Sequence, residues 1–357
     1  FVFGCTDPTA LNYNPLATVD DSSCCSSTGN LWNQIGQDID GSTIVYQGGV
    51  VYGEKSGSSV SINRDGDIVA IGSPYHGGPL GAGAVRIFQN INGSWNQIGQ
   101  DIGGEASGDY FGKSVSLSND GNIVAIGAPY NSGNAGHVRV YSFDGNNWNQ
   151  IGTDIDGDNG YSGCSVSLSN DGNIVAIGAY LFNAAIGHVR VYNFDGSSWN
   201  QVGLDIIGEN PYDGSGEFIS LSGDGSIVAI GAMDNSGNGT SSGHVRVYAY
   251  DGNNWNQVGQ DIDGEAANDR SGSSVSLSND GYTVAIGSIF NDGNGNKSGH
   301  VRIYTYNSSI WNQLGQDIDG EAAGDESGGS VSLSNNGDTV AIGAHGSGND
   351  AGHVRIY

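Results

Sequence analysis

Five histidines stand in the same context, Gly-His-Val-Arg, and histidine is the side chain that most often serves as a general acid or base near neutral pH. They are His137, His188, His244, His300 and His353. A catalytic site needs one constellation of different groups, whereas a residue that recurs at one place in each repeat serves the repeat. We therefore predict a structural role for these histidines.

His76 and His345 stand outside that context, and no serine, cysteine or carboxylate arrangement accompanies them in the sequence. Several glutamates could in principle supply a pair of glycosidase acids, but no motif arranges them. They are Glu209, Glu217, Glu265, Glu321 and Glu326. We predict that the protein is not an enzyme and has no catalytic residues.

Arginine recurs in the same way, at one place in each repeat. The six are Arg86, Arg139, Arg190, Arg246, Arg302 and Arg355. Strand alternation puts Arg139 on the same strand face as His137 and Tyr141. A guanidinium buried between strands needs an internal partner, and the recurring segments Asp-Ile-Asp-Gly and Asn-Asp-Gly offer carboxylates. We predict six structural ion pairs.

The elements that must position these residues are short β-strands. One repeat contains "SVSLS", "NIVAIGA", "HVRVYSF" and "WNQIGQDI" in turn, with Asx-Gly turns between the first and second and between the third and fourth. The repeats are marked by Trp32, Trp95, Trp148, Trp199, Trp255 and Trp311. Four-stranded units that recur at this spacing form the blades of a propeller. We predict an all-β fold, a six-bladed β-propeller over residues 30–357, with the tryptophans packed inside or at the edge of the blades.

The repeats are cut out of phase with the chain. The fourth-strand phrase opens at Trp32 before any complete blade, and the last repeat stops at Tyr357 after its third strand. We predict that residues 32–36 pair with residues 352–357 and close the ring, because unpaired sheet edges promote aggregation. Residues 1–29 would then form a separate N-terminal segment.

The stretch "DYFGKSVSLSNDGNIVAIGAPY" resembles the FG-GAP repeat of integrin-α-type propellers, with Phe111-Gly112 before the first strand and Gly127-Ala128-Pro129 after the second. The resemblance implies a propeller fold and a role in extracellular adhesion. The family's calcium loop lies between the first two strands, where this chain has Ser118-Asn119-Asp120-Gly121. That segment offers few oxygen ligands for Ca²⁺.

Residues 5–24, "CTDPTALNYNPLATVDDSSC", resemble a short cysteine-bounded module of large secreted and surface proteins. Oxygen ligands for one Ca²⁺ could come from Asp7, Asn12, Asn14, Asp20 and Asp21. Alternatively, these residues form Asx turns around the two prolines of the segment. Calcium is the only cofactor we expect.

Four cysteines allow three pairings. Adjacent Cys24 and Cys25 are poorly placed to bond to each other, so we favour Cys5–Cys24 with Cys25–Cys164. The second bond could lie within one chain or join two chains. Either arrangement requires an oxidising compartment.

Composition and sequons also favour an extracellular, secreted glycoprotein. The formal net charge of −27 disfavours nucleic acid as a partner, and the sequence has no apolar run long enough for membrane insertion. The chain begins at Phe1 without a basic-then-apolar leader, so we expect a processed or trimmed product. Glycosylation is expected at Asn92, Asn238, Asn296 and Asn307.

Irregular segments indicate where function lies. The connections between second and third strands and between blades vary, and in a propeller both emerge on one face, which we expect to be the contact surface. The segment "STIVYQGGVVYGE" reads as an added hairpin. Its apolar side chains and the N-terminal "FVF" form a predicted interface with another molecule. That interface comprises Phe1, Val2, Phe3, Ile44, Val45, Tyr46, Val50, Val51 and Tyr52.

Two functions fit these observations. The first is a non-enzymatic structural or adhesive protein, a propeller subunit of a cell-surface assembly that self-associates, for example into a filament. The alternative is an integrin-like or lectin-like propeller that binds an extracellular protein or glycan through its loop-rich face, with or without Ca²⁺.

Overall fold

A computed structural model describes residues 3–4, 19–20, 34–45, 51–78, 81–346 and 352–357. The chain divides into two compact units. One comprises Phe1–Ile39 with Asn90–Trp95, and the other comprises Asp40–Gln89 with Asn96–Tyr357. The predicted boundary near residue 30 is not tested by this division. None of the helices in the described ranges is long and apolar enough to cross a bilayer.

Blades 1–3 each contain four antiparallel strands and a short fifth piece that also pairs with the third strand. Blade 1 has β5 (Ser59–Ile62), β6 (Ile68–Ser73), β7 (Ala84–Ile91), β8 (Ser94–Gln97) and β9 (Ile102–Gly103). Blade 2 has β10 (Ser114–Leu117), β11 (Ile123–Ala128), β12 (His137–Phe143), β13 (Trp148–Gln150) and β14 (Ile155–Asp156). Blade 3 has β15 (Ser165–Leu168), β16 (Ile174–Ala179), β17 (His188–Phe194), β18 (Trp199–Gln201) and β19 (Ile206–Ile207).

Blades 4 and 5 repeat this order, and blade 6 has three strands in the described ranges. Blade 4 has β20 (Phe218–Leu221), β21 (Ile227–Ala232), β22 (His244–Tyr250), β23 (Trp255–Gln257) and β24 (Ile262–Asp263). Blade 5 has β25 (Ser271–Leu277), β26 (Thr283–Ser288), β27 (His300–Tyr306), β28 (Trp311–Gln313) and β29 (Ile318–Asp319). Blade 6 has β30 (Ser327–Leu333), β31 (Val340–Ala344) and β32 (His353–Ile356). The predicted all-β, six-bladed propeller is confirmed.

The remaining elements are short. In the N-terminal unit, β1 (Phe3–Gly4) pairs in parallel with β2 (Val19–Asp20). In the propeller unit, β3 (Thr43–Val45) and β4 (Val51–Gly53) pair in antiparallel register, as expected of an added hairpin. The single-turn helices α1 (Asn131–Asn134) and α2 (Phe182–Ala185) lie in connections between second and third strands, and both contain residues with positive φ.

The core lies between successive blades. Second strands read as continuous apolar runs because both of their faces are covered, and Val124 and Ile126 of β11 are fully buried. Serines of the first strands join the blades: Ser114 Oγ donates to the carbonyl of Gly163 at 2.8 Å, and the amide of Leu168 donates to Ser116 Oγ at 3.0 Å. This repetition explains why the polar "SVSLS" pattern builds an innermost strand.

In the described residues, five tryptophans each donate a hydrogen bond from the indole to a backbone carbonyl in the fourth-strand phrase of the preceding repeat. The indole of Trp148 donates from Nε1 to the carbonyl of Ile98 at 3.0 Å, and Trp148 is 2% exposed. In the N-terminal unit, Trp95 makes the corresponding bond to Ile35 at 2.7 Å. Residues 34–36 therefore have the local environment of a fourth-strand segment. Trp32 lies outside the described residues, so ring closure through residues 32–36 stays a prediction.

Candidate binding face

The two variable sets of loops lie together. In five of the blades, an isolated parallel bridge joins the end of the connection between second and third strands to the link that enters the next blade. The bridges are Gly83 with Phe111, Gly136 with Ser162, Gly187 with Ser215, Gly243 with Ser271 and Gly299 with Ser327. We call the surface formed by these connections and links the loop face.

One backbone position of the loop face is left-handed in every blade, although five of its six occupants are not glycine. The position precedes Phe-Gly or Ser-Gly, and its φ lies between 53° and 67° in all six blades. Its occupants are Lys55, Tyr110, Tyr161, Gly214, Arg270 and Glu326. An L-residue in this region costs about 1 kcal/mol or more. The left-handed backbone conformation is the same in all six blades, but the side chain at the position differs. The repeated backbone can therefore present different chemical groups at equivalent places on the loop face.

In blades 2 and 3 this position holds Tyr110 and Tyr161. Together with Tyr75, Tyr130 and Tyr180 they form a run of five tyrosines, which we call the tyrosine arc. Successive ring centroids are 4.9, 4.7, 4.8 and 6.1 Å apart. Tilted and edge-to-face contacts at these distances are favourable aromatic geometries. Tyr130 at the middle of the arc is 40% exposed, and Lys55 places its Nζ 4.4 Å from the Tyr75 ring centroid.

In blades 5 and 6, the same position carries charge. Arg270 lies 3.4 Å from Asp234 and 5.0 Å from the ring centroid of Phe290. Glu326 Oε2 is 2.6 Å from Nε2 of His345. The position therefore carries an aromatic ring in blades 2 and 3 and a charge in blades 1, 5 and 6.

The arc borders a cavity of about 530 Å³ that is lined by first strands from all six blades. The residue just before the recurring first-strand sequence differs from blade to blade. At the cavity these residues are Ser58, Lys113, Cys164, Glu217 and Gly329. Three of these side chains are chemically distinctive: Lys113, Cys164 and Glu217. The described residues lining the cavity include no histidine.

The ionisation of this lining disfavours nucleophilic chemistry. Burial raises the pKa of Cys164 to about 11, so the group is a neutral thiol at pH 7, and a thiol is a poor nucleophile compared with a thiolate. Its Sγ lies 3.3 Å from the carbonyl oxygen of Gly178. Burial, with the nearby charge of Asp234, also raises the pKa of Glu217.

Cys164 is the one cysteine within the described residues, and it has no disulfide partner among them. Its predicted partner Cys25 lies outside the described residues, as do Cys5 and Cys24 and most of the predicted Ca²⁺ ligands, so the disulfides and the N-terminal calcium site stay predictions. The side chains of the predicted apolar interface also lie outside the described part of the chain. At the blade hairpins, Asp120 Oδ1 accepts from Ser118 Oγ at 2.6 Å and from the Asn122 amide at 3.0 Å, so it serves the turn.

The recurring arginines lie apart from the cavity. Arg139 donates to Asp154 through Nε at 3.0 Å and Nη2 at 2.9 Å, and it also contacts Glu105. Arg190 and Arg246 pair in the same way with Asp205 and Asp261, the aspartates that follow their fourth strands. Arg86 donates to the equivalent Asp101 through Nε alone at 3.0 Å, and its two Nη atoms donate to Glu54. Arg302 and Arg355 bond instead to the backbone carbonyls of Asp263 and Asp319. The histidine two places before the arginine is buried in blades 2–5.

The comparisons with known proteins define the fold class. The model of the FG-GAP repeat matches residues 103–141 and 262–304, which include the first two strands and most of the third strand in blade 2 and in blade 5. Two segments of the chain therefore match the FG-GAP repeat, the resemblance that the sequence indicated. Many solved structures are similar to it. No curated protein matches.

One similar solved structure is Kuenenia stuttgartiensis hydrazine synthase. The match covers 84% of this chain and 83% of that one at 10% identity, with a TM-score of 0.55. At that identity the likeness concerns the fold alone, because propellers host unrelated functions.

The tyrosine arc and the repeated left-handed position were not recognised from the sequence. The available signal was the variable residue before each Phe-Gly or Ser-Gly pair, since the pair itself scarcely changes. Its meaning depends on distances between successive blades, which a repeat pattern does not contain.

Proposed function

We propose that the protein is a non-enzymatic, extracellular binding propeller of an adhesive kind, and that the loop face recognises a neutral glycan. The tyrosine arc beside the cavity carries this proposal. Concave sites lined by aromatic side chains with a few convergent polar groups are the usual form of small-ligand sites. Tyrosine offers an apolar ring face together with a hydroxyl for hydrogen bonding.

Size and charge favour a neutral oligosaccharide over a protein surface. A cavity of about 530 Å³ accommodates a small ligand, whereas a stable protein partner typically covers about 800 Å² of each surface. The net charge of −27 repels sulfated and carboxylated glycans over distances of about a Debye length. Lys113 and Glu217 at the cavity are then the polar groups that hydrogen-bond sugar hydroxyls.

An extracellular setting is supported by the sequons. Asn92, Asn238, Asn296 and Asn307 are all exposed, which glycosylation requires. This part of the proposal is tested by expressing the chain in a secretory host and measuring its mass before and after enzymatic deglycosylation.

Replacing Tyr130 with alanine should weaken glycan binding by about 2 kcal/mol, roughly 30-fold, because the most exposed ring of the arc would be lost. The protein would first be applied to a printed array of neutral glycans, and the best soluble oligosaccharide would then be titrated by calorimetry. Tyr282→Ala is the matched control: Tyr282 is 51% exposed, and it follows a hairpin turn rather than a loop-face connection.

An array without a neutral glycan signal above background would overturn the glycan assignment. Equal losses of glycan affinity in the Tyr130 and Tyr282 variants would show that the tyrosine arc is not part of the binding site. If the protein instead bound a protein ligand, and Tyr130→Ala weakened that binding, the loop face would remain the binding surface but the glycan assignment would be wrong.

Self-association is the second candidate function, and exposed apolar side chains on the terminal blades favour it. Val60 and Ile62 of β5 are 62% and 59% exposed, and Val354 of β32 is 67% exposed. In blade 5 the counterpart of Val354, Val301, is fully buried. We expect concentration-dependent dimers or higher species in sedimentation velocity, reduced by Val354→Ser. A strict monomer from micromolar to millimolar concentration would reject this role.

A further inference from the structure

Blade 5 departs from the arginine pattern of blades 2–4. In blades 2–4 the guanidinium donates two hydrogen bonds to one aspartate, as Arg246 does to Asp261 at 3.1 and 3.0 Å. In blade 5, Arg302 Nη2 donates to the carbonyl of Asp263 at 2.8 Å, and its Nε has no hydrogen-bond partner. The equivalent aspartate, Asp317, is bonded by Gln313 at 2.6 Å. Asp317 is thereby left without the bidentate arginine contact that its counterparts have.

His300 lies beside Asp317, the carboxylate that has no bidentate arginine contact. It is 1% exposed, and neither ring nitrogen has a hydrogen-bond partner. Buried polar groups are almost always paired, and an orphan in a native structure indicates a missing partner. The Nδ1 atom faces three carboxylates: Glu265 at 4.0 Å, Asp317 at 3.8 Å and Asp319 at 4.0 Å.

We propose that Glu265, His300 and Asp317, with Asp319 beside them, bind one divalent cation of the zinc class. The ligand atoms of Glu265, His300 and Asp317 all lie within 4.8 Å of one another. Ligands of a tetrahedral zinc ion at about 2.0–2.2 Å lie roughly 3.4 Å apart. The distances from His300 Nδ1 to the carboxylates would therefore contract by about half an ångström, and no separation within the group would contract by more than about 1.4 Å. This site is independent of the glycan proposal.

Charge and ligand type support this cation class. The three carboxylates and Arg302, whose Nη1 is 3.5 Å from Glu265, sum to −2, which a divalent ion neutralises. An imidazole nitrogen suits Zn²⁺ and related transition metals, whereas Ca²⁺ prefers oxygen ligands alone.

The other blades provide an internal comparison. Glu105, His137 and Asp154 form a similar group in blade 2, but Arg139 contacts both of its carboxylates. A cation there would have to displace a guanidinium from both acids. Glu209, His244 and Asp261 form a third such group in blade 4, and Arg246 contacts both of its carboxylates. Among these three groups we therefore expect zinc only at the one in blade 5.

The test is calorimetric titration of the full chain with Zn²⁺ after dialysis against chelator. The wild type should bind one more zinc ion than Glu265→Gln/Asp317→Asn, and the equivalent blade 2 variant, Glu105→Gln/Asp154→Asn, should retain wild-type stoichiometry. Selective ¹⁵N labelling of histidine should show Zn²⁺ moving one buried imidazole resonance, which His300→Asn removes.

Three outcomes would overturn the site. They are equal zinc stoichiometry in the wild type and the blade 5 variant, an equal loss in both double variants, and a wild type that takes up Ca²⁺ but not Zn²⁺ at this group. The same variants should leave glycan binding unchanged, so failure of the metal site and failure of the glycan site remain distinguishable.

Discussion

Gly178→Ala is expected to prevent the propeller from folding stably, with a loss of roughly 3 kcal/mol or more in the free energy of unfolding. A methyl group on Gly178 would overlap the backbone carbonyl oxygen of Gly216 in the next blade. Backbone cannot rotate away as a flexible side chain can, so the two blades would have to separate. Urea denaturation followed by tryptophan fluorescence measures the loss.

Gly343→Ala is the matched control for this prediction. Gly343 ends the same apolar run in blade 6, but a methyl group there would meet the hydroxyl of Ser330 rather than a neighbouring backbone. The hydroxyl can rotate, so we expect a change within about 1 kcal/mol. Similar losses for the two substitutions would contradict the close blade approach.

Glu54→Gln is expected to lower the free energy of unfolding at pH 7 by about 3 kcal/mol. Glu54 is 1% exposed and accepts from Arg86 at 2.7 and 3.2 Å, with Nδ1 of His76 at 2.7 Å and the amide of Ser42 at 2.8 Å. Burial by itself would raise the pKa of this carboxyl, but the hydrogen bonds prevail and lower it from 4.5 to about 2.

The sign of the pH effect follows from that shift. A carboxyl whose pKa is lowered by folding stabilises the protein above its unfolded pKa, and the contribution disappears as pH falls through the folded pKa. The wild type should therefore lose this stability between about pH 4.5 and 2, and Glu54→Gln should lack that part of the slope. Urea midpoints at several pH values provide the measurement.

Glu105→Gln serves as the control for Glu54→Gln. Glu105 also contacts a recurring arginine, Arg139, but its side chain is 53% exposed. Exposed ion pairs contribute about 0–1 kcal/mol, so the change should be small. An equal loss in both variants would mean that burial of Glu54 does not determine its contribution.

Much of the fold could be predicted because its physics is local and repeated. The Asx-Gly turns, the apolar second strand and the alternating third strand each specify a short element, and repetition multiplies the signal. The aspartate acceptors of Arg139 and Arg190 could be anticipated, since a buried guanidinium requires a carboxylate. The partner of Arg302 could not be anticipated, because Arg302 has the same sequence context as Arg139 but bonds to a backbone carbonyl instead.

The candidate sites were harder to predict because they depend on structural differences between equivalent positions of the repeats. Tyr110 and Tyr161 occupy a left-handed turn that favours glycine, so propensity gives no reason for a tyrosine there. His300 has the same sequence motif as His137, and only the orientation of the neighbouring arginine separates the two groups. Such differences require coordinates.

Hydrogen–deuterium exchange of the full chain, with and without the oligosaccharide that binds best on the array, tests the central claim most directly. We expect slower exchange on binding in segments around Tyr110, Tyr130 and Tyr161, with hairpins such as 118–123 unchanged. Protection confined to the hairpins, or no protection at a saturating concentration of a glycan that binds, would contradict the assignment of the loop face as the binding surface.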